Sequence, residues 1–533
     1  MTTPSPPTKP GLRTLSRRLD HLPDPLALFV RLRASADPCP RALFETADQT
    51  EKREAQSLLY VDPAIRCRLV GDTVDWHPLT ANGRFALDSL RRAGWTDGAR
   101  ELPDGGFRFP VEPAPRTLDE AARLRAAGPF DPLRALLWSW QADSKTLESV
   151  HAYGLFAYDL ADRFESLPPR QAAERPVADF EFHLCETRVL INHAQGSTTI
   201  TTVVFGDDPP QDLELTARRR LTELERLIRS TPDPVLQNRP RPARPGAHSD
   251  RTTLSDEAFA TIVRDFKDEI ARGEVFQIVP SRRFETACPD PLRAYAELRQ
   301  LNPSPYMFFL EDGDGILFGA SPESALKVSA AESRVEIRPI AGTRPRALHP
   351  DGSLDADRDA RLELELRLSA KELAEHAMLI DLARNDVARV SQPGTRTVTE
   401  LMAVERYSHV MHLVSRVQGT LDPDLDALHA YQACLNMGTL TGAPKIRAMQ
   451  LLRNREPHPR GPYGGAVGYL DLRGNLDTAI VIRSAWVAHG QAWVQAGCGV
   501  VADSDPVQES DETRRKAEAV LEAIERTRGD SGP

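Results

Sequence analysis

Cysteine is scarce in this chain: there are six in 533 residues, Cys39, Cys67, Cys185, Cys288, Cys434 and Cys498. None falls in a CxxC pair or another metal-ligand spacing. Neither a disulfide framework nor a zinc cluster is therefore expected, and the thiols read as reduced and unpaired. No uncharged apolar run approaches the roughly 18 residues that a membrane-crossing helix needs. The first residues, MTTPSPPTKPGLRTLSRR, lack the apolar stretch of a secretion signal. The expected location is the cytoplasm. Positive charge is not in excess: 67 Lys and Arg stand against 77 Asp and Glu, a net charge of −10. That argues against nucleic acid or an anionic membrane as the main partner. Also missing are GxSxG, a Walker loop, HExxH and a GxGxxG between strand and helix. Nucleophilic triads and nucleotide folds are thus unsupported.

What remains is a globular composition, 41% hydrophobic and 27% charged, long enough for several cores. Residues 1–20 read as a loose arm. Residues 21–230 mix short strands with helices. RCRLVGDTVDWHPL predicts strand–turn–strand around Gly71 and Asp72. LTARRRLTELERLIRS predicts a helix with Leu215, Leu221, Leu224 and Ile228 inward. The Pro-rich stretch 231–250 reads as a linker. Beyond it, 251–528 forms a second region. There Ser255 caps a helix with Phe259, Ile262, Phe266 and Ile270 inward, and Gly273 stops it. Further strands are predicted in YMFFLED, GILFGAS, SRVEIRPIAGT, GGAVGYLDL, TAIVIRSAWV and AWVQAGCGVVADS. Long helices are predicted over 360–389, 424–436 and 511–527. Strands without regular βαβ alternation make the fold class mixed α+β.

Four glutamates carry the strongest chemical signal. Glu372 and Glu375 lie in KELAEHAMLIDLARND, and Glu509 and Glu512 in QESDETRRKA. Spacing of i,i+3 puts each pair on one helix face. Two such faces opposed would make a carboxylate cage of the kind Mg²⁺ takes, completed by an anionic substrate. Spacing alone leaves a solvated acidic edge open. On the first helix, Leu373, Ala377, Ile380 and Ala383 form the apolar stripe. Glycine-rich backbone at Gly342-Thr343 and at Gly497 and Gly499 could form anion nests, or ordinary turns. Arg483, read as late in an apolar strand, needs a carboxylate-like partner. His412, Glu323 and Lys516 have no special signal of their own.

The strings PIAGTRPR, KELAEHAMLIDLARND, YSHVMHLVS, NMGTLTGAPKIRAM, PYGGAVGYLDL and QAGCGVVADSDPVQESDETRRKA together resemble the chorismate-utilising enzyme family. Within it they are similar to the large subunit of the branch that forms anthranilate. The resemblance covers 255–527 strongly and the N-terminal half weakly. It implies large antiparallel-rich sheets flanked by helices. It implies Mg²⁺ held directly by Glu375 and Glu512, with Glu372 and Glu509 holding its waters. It places chorismate against Gly342, Thr343, Tyr463, Arg483, Gly497, Cys498, Gly499 and Lys516. Glu323, His412 and Thr439 fall near the reacting ring, with Glu323 as acid and His412 beside the aromatising step.

Two uncharged residues choose the branch. Family members that add water carry a lysine base where this chain has Gln277. Those that form a covalent adduct carry a lysine where it has Ala341. Both point to ammonia as nucleophile and to anthranilate. The alternatives are an aminodeoxyisochorismate synthase of phenazine type, which shares the amination step, and an aminodeoxychorismate synthase. A tryptophan-binding regulator on an inactive fold is disfavoured by the retained glutamates, His412 and Arg483. A two-metal hydrolase lacks the expected His and Asp ligands. No cysteine sits in a GxCxG elbow, so the resemblance implies a separate glutamine amidotransferase subunit, assembled as a heterotetramer. It also implies feedback by tryptophan at Glu45, Thr46, Pro305, Tyr306, Met307, Val467 and Tyr469. Departures from the family pattern are Thr46 for a serine, Gln56 for a lysine, His409 for a tyrosine and Cys498 for an alanine.

Overall fold

The computed structural model describes residues 7–34, 40–46, 55–115, 117–169, 177–233, 249–349, 353–407 and 410–528. At its centre two long strands, Gln56–Val70 and Phe180–Asn192, pair along most of their length. Two wings of sheet grow from them. Gln56–Val70 leads through Ala42–Glu45, Tyr306–Glu311, Ile316–Ser321, Ser484–Ala488 and Gln491–Gly497 to Ser281–Ala287. Phe180–Asn192 leads through His151–Phe156, Ala466–Asp471, Leu476–Ile480, Ser324–Ser329 and Arg334–Ile337 to Val410–Thr420. Every one of these pairings is antiparallel, which agrees with the expected antiparallel-rich mixed fold. Each wing begins with strands from before the 231–250 stretch and continues with strands from after it, so that stretch does not divide the sheet. Residues 234–248 of it lie outside the described residues.

Local chemistry explains most elements. Gly71, at φ +57°, makes the two-residue turn that pairs Val70 with Thr73. The Ser255 hydroxyl accepts from Ala258 N to start Asp256–Ala271, whose Phe259, Val263 and Phe266 are buried. Several expectations need correction. The arm at 1–20 is not loose throughout: Leu12–Leu19 pairs with Ser197–Phe205, and this pairing buries Leu12 and Leu19. Leu215 is 48% exposed, and Leu213 and Ala217 take the inner face of Gln211–Arg229 instead. The helix expected over 360–389 is two, Ala356–Leu368 and Ala370–Ala388, broken at Ser369. On the second, His376 is buried where Ala377 was expected inward. The strand expected in SRVEIRPIAGT breaks between Ile337 and Ile340, at Arg338-Pro339.

The chain changes wing at two places that decide the site. It leaves Ile316–Ser321 and enters Ser324–Ser329 through Pro322 and Glu323. It leaves Leu476–Ile480 and enters Ser484–Ala488 through Arg483. The crossings bond to each other: Ile480 N donates to Glu323 O at 3.0 Å, and Ala320 N to Arg483 O at 3.0 Å. Arg483 is therefore not inside a strand, as expected, but at a corner with φ +51°. Left-handed backbone is costly for a non-glycine residue and persists where its surroundings over-determine it.

At one seam between the sequence halves two glycines oppose each other, Gly154 and Gly468. A Cβ on Gly154 would lie 2.0 Å from Glu181 O. Gly154→Ala should cost about 1–3 kcal/mol by overpacking. The check is guanidinium unfolding, where the midpoint should fall with the slope unchanged.

Candidate active site

Glu323 is 8% exposed, and burial pushes its carboxyl up to about 8. The Thr439 hydroxyl and the Lys516 ammonium favour the ionised form but do not outweigh burial. At neutral pH this side chain is chiefly a neutral acid that can donate a proton. Arg483 is tied to the same place by the crossing bonds. Behind it, Val481 exchanges backbone bonds with Gly464 and Gly465, which sets buried Tyr463 alongside. Burial presses the guanidinium towards its neutral form, while Tyr463 and Glu512 hold its charge.

His412 sits in Val410–Thr420 between Ile340–Pro345 and Thr397–Arg406, opposite Thr343 on one side and Glu405 on the other. A bulge at Gly342, φ +69°, turns the Gly342 carbonyl towards the imidazole. His412 Nδ1 lies 3.1 Å from that carbonyl and 3.0 Å from Thr343 Oγ1. A carbonyl only accepts, so Nδ1 carries the proton and Nε2 is left with its lone pair. Burial lowers the His412 pKa, the Gly342 bond opposes this, and Arg483 lowers it further. The ring is thus a neutral base of known tautomer.

The glycine nest is equally tight. A Cβ on Gly497 would meet Pro280 O at 2.5 Å and the Tyr463 hydroxyl at 3.0 Å. One on Gly499 would meet Gln277 Nε2 at 2.7 Å. Gln277 is buried, and its Oε1 has no hydrogen-bond partner. Lys516 Nζ donates to Gly497 O at 3.1 Å and pairs with Glu512 at 2.7 Å. Cys498 is buried between them and stays a thiol under burial and the Glu509 charge. All five described cysteines are free and buried.

The two glutamate pairs do face one space. Burial raises Glu375, Lys371 opposes this, and Glu372, Glu512 and Glu509 each raise it further. Glu509 is 5% exposed, and its Oε2 is buried without a hydrogen-bond partner. Burial pushes Glu512 up, but Lys516 and Lys371 outweigh it and hold the carboxyl low. Arg344 bonds Glu372 at 3.1 Å, and Lys371 lies 3.8 Å from Glu375. Neither cation was singled out from sequence, although both lie inside the quoted strings. Glu509 is buried and Glu372 and Glu375 are about one-fifth exposed, while Glu512 is 38% exposed, so this acidic face is only partly open to solvent. An orphaned oxygen and four hard donors suit a divalent cation. They are not drawn into a closed ligand set: among the described residues no three His, Cys, Asp or Glu side chains are close enough to hold one ion.

A cavity of about 460 Å³ lies between the wings. Glu45, Thr46, Pro305, Tyr306, Met307, Val467 and Tyr469 all line it, with Gln56. Tyr295 donates to Glu45 Oε1 at 2.7 Å and Arg299 pairs with Oε2 at 3.0 Å. Lys327, Arg338 and Asp477 also line it and went unnoticed in the sequence, where nothing separates them from surface charge. His409 lies outside the described residues.

Residues 110–522 match the chorismate binding enzyme family model. The chain belongs to that family. It is 49% identical over 516 residues to "Anthranilate synthase component 1" of Vibrio cholerae, covering 96% of each chain. It is 48% identical over 518 residues to the protein of that name in Escherichia coli K12, covering 97% of each. Among solved structures, anthranilate synthase component I from Streptococcus pneumoniae superposes with a TM-score of 0.66 at 29% identity, covering 87% of this chain and 92% of that one. No helix among the described residues is long and apolar enough to cross a membrane.

The raised Glu323 pKa has a stability signature. The folded state binds the proton more tightly than the unfolded chain, whose glutamates titrate near 4.5. Stability is greatest below that value and is lost as pH rises to about 8. Relative to Glu323→Gln, the wild type should lose up to about 1.4 kcal/mol per pH unit across this window. Denaturant midpoints of both proteins at stepped pH would measure it.

Proposed function

We propose that this chain is the large subunit of an anthranilate synthase, converting chorismate and ammonia to anthranilate, pyruvate and water. The observation that carries the reading is a buried neutral acid, Glu323, bonded through its backbone to the crossing that holds Arg483. His412, a neutral base of known tautomer, lies within the field of the same arginine.

Chorismate carries two carboxylates and a poor leaving group, the C4 hydroxyl. Arg483 and the nest amides around Gly497 and Gly499 bind the enolpyruvyl carboxylate, with Tyr463 behind them. Glu323 donates its proton to the departing C4 hydroxyl, which leaves as water. Ammonia adds at C2, and its surplus proton restores the acid form of Glu323, giving aminodeoxyisochorismate. Gln277 beside the nest offers a buried acceptor oxygen but no base. It can therefore receive an N–H of ammonia, which is already nucleophilic, and cannot deprotonate water. The Nε2 lone pair of His412 takes the C2 proton as pyruvate is expelled and the ring aromatises. Ala341 offers no amine for a covalent adduct. Glu375 and Glu512 would hold Mg²⁺ directly, with Glu372 and Glu509 on its waters, once Arg344 and the lysines give way. The bound ion would supply positive charge against the ring carboxylate, which drains electron density from C4.

The curated relatives are called component 1, a name that implies a second component. The ammonia source in this reading is a partner glutaminase subunit. The cavity at Glu45 is read as the tryptophan feedback site, where Gln56 supplies no cation.

Purified protein with chorismate, Mg²⁺ and ammonium at alkaline pH should release fluorescent anthranilate. A stable aminated intermediate without anthranilate would support the phenazine-type synthase instead. Glu375→Gln should lower turnover at least about 100-fold, the scale of a lost metal ligand or its supporting shell. It should leave tryptophan binding in place, and unchanged turnover would refute the metal assignment. The alkaline limb of kcat/KM should follow Glu323 near pH 8 and move upward in Thr439→Val, which removes a hydroxyl that favours the ionised form.

A further inference from the structure

The Glu45 cavity and the His412 base are joined by a short chain of contacts. Arg338 lines the cavity and bonds Glu405 Oε1. The Tyr407 hydroxyl donates to Glu405 Oε2 at 2.7 Å. The Tyr407 ring stands edge-on to the His412 imidazole, with centroids 5.7 Å apart and planes at 62°. Glu405 is also the backbone partner of His412 in the sheet. A covalent route runs in parallel. Arg338 and Pro339 join Arg334–Ile337 to Ile340–Pro345, and the second strand carries Gly342 and Thr343, the two groups bonded to His412 Nδ1.

Arg338 is also the cavity cation most open to a new partner. Lys327 is committed to Asp477 at 3.1 Å, and Gln56 is uncharged. The buried Nε of Arg338 has no hydrogen-bond partner, so its guanidinium is only partly used by Glu405. An incoming carboxylate can take the planar fork with two parallel bonds.

We propose that Arg338 reports occupancy of the cavity to the catalytic base. The carboxylate of a bound amino acid takes the guanidinium from Glu405, and the released Glu405–Tyr407 pair shifts the His412 ring away from its working position. Tyr407 and Glu405 are positioning residues, and Arg338 is the switch. This rests on reading the cavity as an amino-acid site. It adds the path by which that site is felt, and it needs a differential contact between the empty and filled states, which Arg338 supplies.

The test separates binding from inhibition. Tryptophan binding is measured by calorimetry on the full chain, and ammonium-dependent turnover with and without saturating tryptophan. Wild type should bind and be inhibited. Tyr407→Phe should bind within about 3-fold of wild type, yet keep at least half of its own uninhibited turnover when saturated, a coupling loss of ordinary allosteric size. Arg338→Met should lose about 10-fold of the preference for tryptophan over tryptamine, which has no carboxylate. If Tyr407→Phe is unfolded or inactive, Glu405→Gln is read in its place with the same two outcomes. Full inhibition of the saturated variant overturns the relay while leaving the cavity reading intact. Absence of tryptophan binding to wild type overturns the cavity reading, and the relay with it.

Discussion

A chain that leaves one wing of a sheet for another loses the neighbour that satisfied its backbone N–H and C=O groups. Here it does so twice, at Glu323 and at Arg483, and each crossing supplies what the other lacks through the bonds from Ile480 and Ala320. The rest of the site follows from that pairing. It holds Arg483 at a positive φ that few arginines adopt. It buries the Glu323 carboxyl and the Arg483 guanidinium on two backbone crossings that are bonded to each other.

The electrostatics then sort themselves by depth. Glu323 is buried and keeps its proton. His412 is buried against a carbonyl and keeps its lone pair. Acid and base near neutrality are thus obtained from two ordinary residues by burial of each and by one bond to Gly342. The four glutamates on the helices Ala370–Ala388 and Pro506–Arg528 face each other, with Glu509 buried and the other three partly exposed. Their mutual repulsion is relieved by Lys371, Lys516 and Arg344. An ion arriving with an anionic substrate would take over that role, which links metal and substrate binding without any further device.

Much of this was legible in the residues. Apolar periodicity located most strands and helices, and Gly71-Asp72 marked its turn. The glutamate spacing found the carboxylates, and the long motifs found the family and part of the lining of the cavity at Glu45, but not Lys327, Arg338 or Asp477. Errors fell where tertiary contact overrides local pattern. Leu12–Leu19 has no strong strand signal and is ordered by pairing with Ser197–Phe205. Ser369 breaks a continuous helical pattern, and Arg338-Pro339 a continuous strand. Leu215 is apolar and on the helix, but it lies two residues from both Leu213 and Ala217, on the side opposite the face that packs.

The sequence by itself determined chemical kinds: which carboxylates are paired, which positions lack a lysine, and where glycine permits close approach. These depend on covalent identity and on spacing within one element, which a linear reading captures. Only the tertiary structure decided the states of those groups. Glu323 becomes an acid because of what surrounds it, and His412 a base because Gly342 accepts from Nδ1. Arg338 becomes a link between two sites because Glu405 and Tyr407 stand between it and the imidazole. Burial, tautomer and coupling are properties of neighbours brought together from distant parts of the chain, and no local pattern carries them.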